Sequence, residues 1–236
     1  MEKICRVQKL GQIPYQAAWD YQNDLAAQIA AGDHDETLLL LEHPHTFTIG
    51  RRGGAEHVLW SEGLLAEKEV VVIAVDRGGD ITYHGPGQIV GYPILRLAPI
   101  GYQSRRLPQA DYVGYIRRIE KMLIDTLAKF KIQGIRVKGK SGVWVNSQTS
   151  PHPLKIASIG VKVDAKGISR HGFALNIEPD MSYWQGIIPC GLSGVEMTCM
   201  ADWTSVVIKI DQVMKVIALC FGQVFKRKMV AEKGPF

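Results

Sequence analysis

A chain of 236 residues with 46% apolar side chains can bury a full core, which excludes a disordered tail or a disulfide-stapled miniature. Its 28 Lys and Arg against 23 Asp and Glu leave a net charge of +5, a mild preference for acidic partners, but the basic residues come in scattered pairs and no nucleic-acid binding is expected. No apolar stretch reaches the roughly 18 residues of a membrane span, the first ten residues lack a signal-peptide core, and the four cysteines form no CxxC pair, so a soluble cytoplasmic chain with reduced thiols and no membrane contact is expected.

Apolar residues at Ala18, Tyr21, Leu25 and Ile29 keep helical spacing over 14–31, and Gly32-Asp33 ends the run. Residues 37–42 and 46–49 read as short buried strands around His43-Pro44-His45. Those two histidines lack a third ligand at metal-binding spacing, and a turn is the simpler reading. Gly50-Arg51-Arg52-Gly53-Gly54 is a basic glycine-rich loop that could cradle phosphate through backbone N–H groups and guanidinium groups.

Between two apolar runs, 70–75 and 89–95, lies Asp76-Arg77-Gly78-Gly79-Asp80-Ile81-Thr82-Tyr83-His84-Gly85-Pro86-Gly87-Gln88. Its glycines and proline forbid a helix, while its charged and polar side chains are brought to the ends of strands that should be buried. Donors on a glycine-rich turn at a strand end suit a binding site. The plainer alternative is a hairpin in which Arg77 pairs with Asp76 or Asp80.

A loop over 98–108 leads to a second helix near 110–131. Its stripe is Tyr112, Ile116, Ile119, Leu123, Leu127 and Phe130, its wet face holds Arg117, Arg118, Glu120 and Lys121, and Gly134 ends it. Strands follow at 135–137, 142–145, 156–163 and 171–177, and a last helix near 202–221 turns Trp203, Val206, Ile210, Val213 and Ile217 inward. Three amphipathic helices and at least eight short strands predict a single α/β (α+β) domain over residues 1–236, with helices packed on a mixed, largely antiparallel sheet.

Among the possible nucleophiles, Cys190 stands between Pro189 and Gly191 where an apolar run gives way to a turn, whereas Cys5, Cys199 and Cys220 sit in contexts that suit buried or incidental thiols. A free thiol is only a few per cent thiolate at neutral pH and needs a partner. Lys155, at the head of a strand, is the candidate. An ammonium about 4 Å from the sulfur stabilises the thiolate by roughly 4 kcal/mol at an effective dielectric of about 20, enough to lower its pKa by one or two at about 1.4 kcal/mol each. His84 and His171 are rivals as the base, and spacing does not choose among the three.

Taken together, Leu41-Glu42-His43-Pro44, the run Arg77 to Gln88, Lys155-Ile156-Ala157-Ser158-Ile159-Gly160, His171-Gly172-Phe173-Ala174-Leu175-Asn176 and Pro189-Cys190-Gly191 resemble the lipoyl(octanoyl) transferase family, in the family's order over about 38–195. The resemblance implies a biotin/lipoate protein ligase-like catalytic domain. It implies transfer of an octanoyl group from octanoyl-acyl carrier protein to a lysine of lipoyl domains, those of 2-oxoacid dehydrogenase complexes and of the glycine cleavage H protein, with no metal and no cofactor. Cys190 would carry the acyl thioester and Lys155 would lower its pKa and move protons. Arg77, Gly78, Gly79, Asp80, Ile81, Thr82, Tyr83, His84, Ser158, Ile159, Gly160, Gly172, Phe173 and Ala174 would line the acyl and carrier-arm site. The alternatives are an ATP-dependent lipoate or biotin ligase on the same fold, which needs no cysteine, and a non-catalytic acyl-carrier-binding protein.

Overall fold

Four consecutive leucines, residues 38–41, have no exposed surface, and the molecule is built outward from them. They lie in strand β2 (Glu36–Glu42), where successive side chains point to opposite faces. Leu38 and Leu40 enter one core and Leu39 and Leu41 another, so the strand is buried on both sides and shows no polar alternation. Each such side chain contributes roughly 1.5–3 kcal/mol of burial.

The computed structural model describes residues 3–98, 109–189 and 194–236. Besides β2, the described strands are β1 (Lys3–Gln12), β3 (Thr46–Ile49), β4 (Val71–Ala74), β5 (Ile81–His84), β6 (Gln88–Ile94), β7 (Gly134–Val137), β8 (Lys140–Val145), β9 (Leu154–Val163), β10 (Ser169–Asn176) and β11 (Arg227–Ala231). The α-helices are α1 (Tyr15–Ala31), α2 (Glu62–Glu67), α3 (Gln109–Lys129) and α4 (Ile210–Phe225). An eight-stranded sheet runs β11-β1-β2-β6-β10-β9-β8-β7, and a three-stranded sheet runs β4-β3-β5. The β11–β1, β1–β2 and β3–β4 pairs are parallel and all others antiparallel, the mixed, largely antiparallel arrangement that the strand pattern predicts.

On one face of the large sheet, Tyr115, Ile119, Met122, Leu123 and Leu127 of α3 and Val213, Ile217 and Phe221 of α4 pack against Leu38, Leu40, Ile156 and Leu175. On the other, Ala18, Leu25 and Ile29 of α1 cover Leu39, Leu41, Val90 and Ile94. The small sheet has its own cluster around Phe47, Ile81, Tyr83 and Trp184. No helix among the described residues is long and apolar enough to cross a membrane.

Several local expectations change. Residues 81–84, read as part of a glycine-rich turn, form β5 and pair with β3. β4, expected to be buried, is the edge of the small sheet, with Val71 and Val72 exposed. Helix α3 gives way at Lys131, whose φ of 62° is left-handed, before Gly134 is reached. Its Glu120 lies fully buried instead of on a wet face, bonded by Arg117 at 2.7 Å and Arg136 at 2.9 Å. Helix α4 starts at Ile210, later than expected; in the segment before it Thr204 Oγ1 accepts from the Val206 N–H, and Val206 is exposed. The expected loop over 98–108 lies outside the described residues beyond Ala98.

Candidate active site

The centre of the large sheet carries a floor of small side chains. Ala174 of β10 pairs with Val90 of β6 on one side and Ser158 of β9 on the other, and Gly172 pairs with Gly160 in the neighbouring row. Cross-strand partners share a face, so this part of the sheet leaves space above it. The small sheet roofs that space with Thr82 and His84, and the turn 77–80 closes one side. The result is a cavity of about 80 Å3 between the sheets. Gly160 allows the closure: a Cβ there would lie 2.9 Å from Gly78 O and 3.0 Å from Arg77 Cδ.

The charged residues of the turn are each held. Arg77 is buried and donates from Nη2 to Thr48 O (2.6 Å) and Thr48 Oγ1 (2.9 Å). Asp76 accepts from His171 Nε2 at 2.7 Å and pairs with Lys162 and Arg170. Burial resists ionisation of Asp76, but hydrogen bonds from His171 and Lys162 outweigh it and hold the carboxyl well below the usual carboxylate range. Asp80 pairs with His57 at 2.7 Å and accepts from the Ile81 N–H. Neither carboxylate pairs with Arg77, so the plain-hairpin arrangement is not the one adopted.

Three buried histidines stand at the inner end, and their partners fix their tautomers. His171 donates from Nε2 to Asp76, so its Nδ1 accepts from Tyr15 OH (3.3 Å). His43 donates from Nδ1 to Ile13 O and accepts at Nε2 from Tyr92 OH, both at 2.7 Å. His84 donates from Nδ1 to Gln88 Oε1 at 2.8 Å. Burial keeps all three neutral: the His43 pKa is pulled down to about 4, that of His84 well below its ordinary value, and that of His171 below it despite Asp76. His171 also has a left-handed φ of 55°, with its N–H bonded to Gln22 Oε1. His43 and His45 diverge, since His45 stacks on Tyr183 at 4.0 Å outside this group.

At the outer end is Lys155, only 3% exposed, with Nζ 5.4 Å from the centre of the Trp144 ring. Gly142, at φ 109°, makes room for it: a Cβ there would lie 2.8 Å from Lys155 Cε and 2.5 Å from Ala157 O. The Lys155 backbone is clasped by the segment that follows the Pro189-Cys190-Gly191 motif. Its N–H donates to Glu196 O (2.9 Å), and its carbonyl accepts from the Thr198 N–H (3.0 Å). Ahead of that motif, the Ile188 N–H donates to His57 O at 2.9 Å. Cys190 itself lies outside the described residues. The other three cysteines are buried, and burial pushes the Cys5 thiol up to about 12, the Cys199 thiol up to about 11 and the Cys220 thiol above its ordinary value. Burial thus disfavours the thiolate at all three.

A hydrogen-bonded series joins the two ends. His84 meets Gln88, Gln88 Nε2 donates to Asn176 Oδ1 (2.9 Å), Asn176 Nδ2 donates to Thr198 O (2.9 Å), and Thr198 N–H donates to Lys155 O.

The fold thus gathers Arg77, Gly79, Asp80, Ile81, Thr82, His84, Lys155, Ser158, Ile159, Gly160, Gly172, Phe173 and Ala174 around one cavity. Gly78 lines an adjoining groove instead. Tyr83 does not line the cavity: strand alternation sends it away from Thr82 and His84 into the small sheet's cluster, where its hydroxyl meets His45 Nδ1 at 3.0 Å. Tyr15 and Tyr92 also line the cavity, and sequence reading missed both. Tyr15 opens a helix and Tyr92 sits in an apolar run, so neither carries a local polar signal.

The chain matches the lipoyl protein ligase A/B catalytic domain family over residues 14–222. It is 42% identical over 219 residues to an octanoyltransferase of Chloroflexus aurantiacus, covering 93% of each chain. It is 42% identical over 194 residues to one of Salinispora tropica, covering 82% of this chain and 83% of the relative. Among solved structures, the bipartite lipoate protein ligase of Thermoplasma acidophilum superposes with a TM-score of 0.74 at 15% identity, covering 98% of this chain and 88% of that one. A lipoate-protein ligase A bound with ATP gives 0.70 at 14%, covering 99% and 90%. The structural likenesses bear on the fold, and the sequence relatives bear on the branch. The chain belongs to the lipoyl protein ligase A/B catalytic-domain family, among its octanoyltransferases.

Proposed function

We propose that this protein transfers an octanoyl group from the thioester of an acyl carrier protein to a lysine of a lipoyl domain, with Cys190 as the acyl relay. The observation that carries the reading is the setting of Lys155: buried, lining the cavity, and clasped through its own backbone by the segment that follows Cys190. In the first half-reaction the Cys190 thiolate attacks the thioester carbonyl carbon, the bond to the donor sulfur breaks, and the donor leaves as a thiol with a proton from the Lys155 ammonium. In the second, the acceptor's neutral amine attacks the Cys190 thioester, a C–N bond forms, the C–S bond breaks, and Lys155 takes the amine proton. No net redox change occurs and the thiolate is restored. The small-residue floor of β9 and β10 suits an unbranched chain, and Arg77, Thr82 and His84 stand over it.

Intact-mass analysis after incubation with octanoyl-acyl carrier protein is expected to give a gain of one octanoyl group on Cys190, and Cys190→Ser is expected to abolish transfer to a lipoyl domain. Absence of the adduct on the unaltered protein, or transfer by Cys190→Ser, overturns the relay. Modification that demands ATP and free octanoate and survives Cys190→Ser would identify an ATP-dependent ligase instead.

A further inference from the structure

Beside the cavity runs a wider groove of about 770 Å3 that shares Arg52, Gly79, Ser141 and Gly160 with it, so the two are continuous. Its wall includes the turn 50–53, which is pinned to the turn 77–80 by backbone bonds: Gly50 N–H to Asp80 O (3.1 Å), Arg51 N–H to Arg77 O (3.0 Å) and Arg52 N–H to Gly79 O (3.0 Å). A Cβ at Gly50 would lie 2.5 Å from Gly79 O, so the two turns touch. Arg51 and Arg52 are therefore exposed side chains on a rigid base. Among the described residues neither guanidinium has a hydrogen bond or ion pair. The groove's carboxylate, Glu120, is already matched by Arg117 and Arg136, and Lys140 adds a further cation over Trp144. The local charge is a surplus of cations at the mouth of an acyl cavity, which is where the polar end of a thioester donor must lie.

We infer that Arg51 and Arg52 form a phosphate clamp for the donor, holding the phosphate of a pantetheine arm while its thioester enters the cavity. The inference rests on the transfer reading for its substrate class. The clamp chemistry is common to the arm of an acyl carrier protein and to coenzyme A. Two planar guanidinium groups on a fixed turn suit phosphate oxygens, and the backbone, not the side chains, holds the turn in place.

The test compares Arg51→Gln/Arg52→Gln with the unaltered protein on three donors: octanoyl-acyl carrier protein, octanoyl-coenzyme A and the phosphate-free octanoyl-pantetheine. A melting curve confirms that the variant is folded. The variant's loss in kcat/KM is expected to be at least about tenfold larger on both phosphate donors than on octanoyl-pantetheine, and mainly in KM. Equal losses on all three overturn the clamp. A loss confined to the carrier protein also overturns it, because the arginines would then be meeting the carrier's surface. Titration calorimetry with coenzyme A gives a readout independent of transfer: a protein that binds it through these arginines but transfers nothing keeps the clamp and loses the transfer reading, while binding indifferent to the double substitution removes the clamp alone.

Discussion

The two faces of the eight-stranded sheet solve different problems. The face under α3 and α4 is filled by Tyr115, Ile119, Leu123, Val213, Ile217 and Phe221, all without exposed surface. The opposite face is apolar only under α1, and beyond Val90 it is handed over to three buried histidines, two tyrosines, Arg77 and Lys155. Polar groups in a dry interior cost free energy unless they are bonded: here the histidines are joined to carboxylates, carbonyls and hydroxyls in fixed tautomers, while Thr82 Oγ1 and Ser158 Oγ, both lining the cavity, have no hydrogen-bond partner among the described residues. One face therefore supplies stability, and that stability lets the other hold a polar cavity open.

Substitutions on the two faces should separate those roles. The largest effect is expected from Lys155→Ala, which should slow octanoyl transfer by about 10²–10⁴-fold and raise the pH at which Cys190 is alkylated, with little change in melting temperature. An unaltered alkylation profile would remove Lys155 from the chemistry. Leu123→Ala on the α3 face should do the reverse, costing about 2–5 kcal/mol in denaturant unfolding while the folded fraction keeps its turnover. Gly142→Ala tests the seam between the roles: a strained φ and a Cβ pressed on Lys155 should cost about 1–3 kcal/mol and also lower turnover, and a change in stability alone would show that Lys155 adapts.

Acid acts on the buried histidines of the polar face. An unfolded chain protonates its histidines near pH 6.5, whereas folded His43 resists until about 4 and His84 and His171 are also held down. The folded state thus binds fewer protons, and stability present at neutral pH is lost as pH falls below about 6.5, at about 1.4 kcal/mol per pH unit for His43 down to about 4 and with the same sign for His84 and His171. Asp76, held below its ordinary value, adds a further loss only in the carboxylate range. Urea midpoints that stay flat between pH 7 and 5 would contradict this.

How much was legible follows the same division. The leucine run and the α3 stripe announce themselves because burial on a regular element leaves a period in the chain. The turn 76–80 is legible for the opposite reason, since charges and glycines between apolar runs make no sense as core. Tyr15 and Tyr92 were not, because a tyrosine in an apolar pattern reads as packing until its hydroxyl's partner is known. β1 escaped because Lys3, Lys9 and other polar residues mask the inward Cys5, Val7 and Leu10, and β11 because its five residues follow a helix without a break. Both exist through long-range pairing, which local pattern does not encode.

That pairing governs how the molecule can be made. β1 is flanked by β2 and β11, and Gln8 bonds Glu232 across 224 positions. A ribosome therefore delivers β1 long before its outer neighbour exists, and an open hydrogen-bonding rim must wait while the intervening chain is made. Early release, or clipping just ahead of Arg227, would leave that rim available to other chains and turn a finished enzyme into a seed for aggregates.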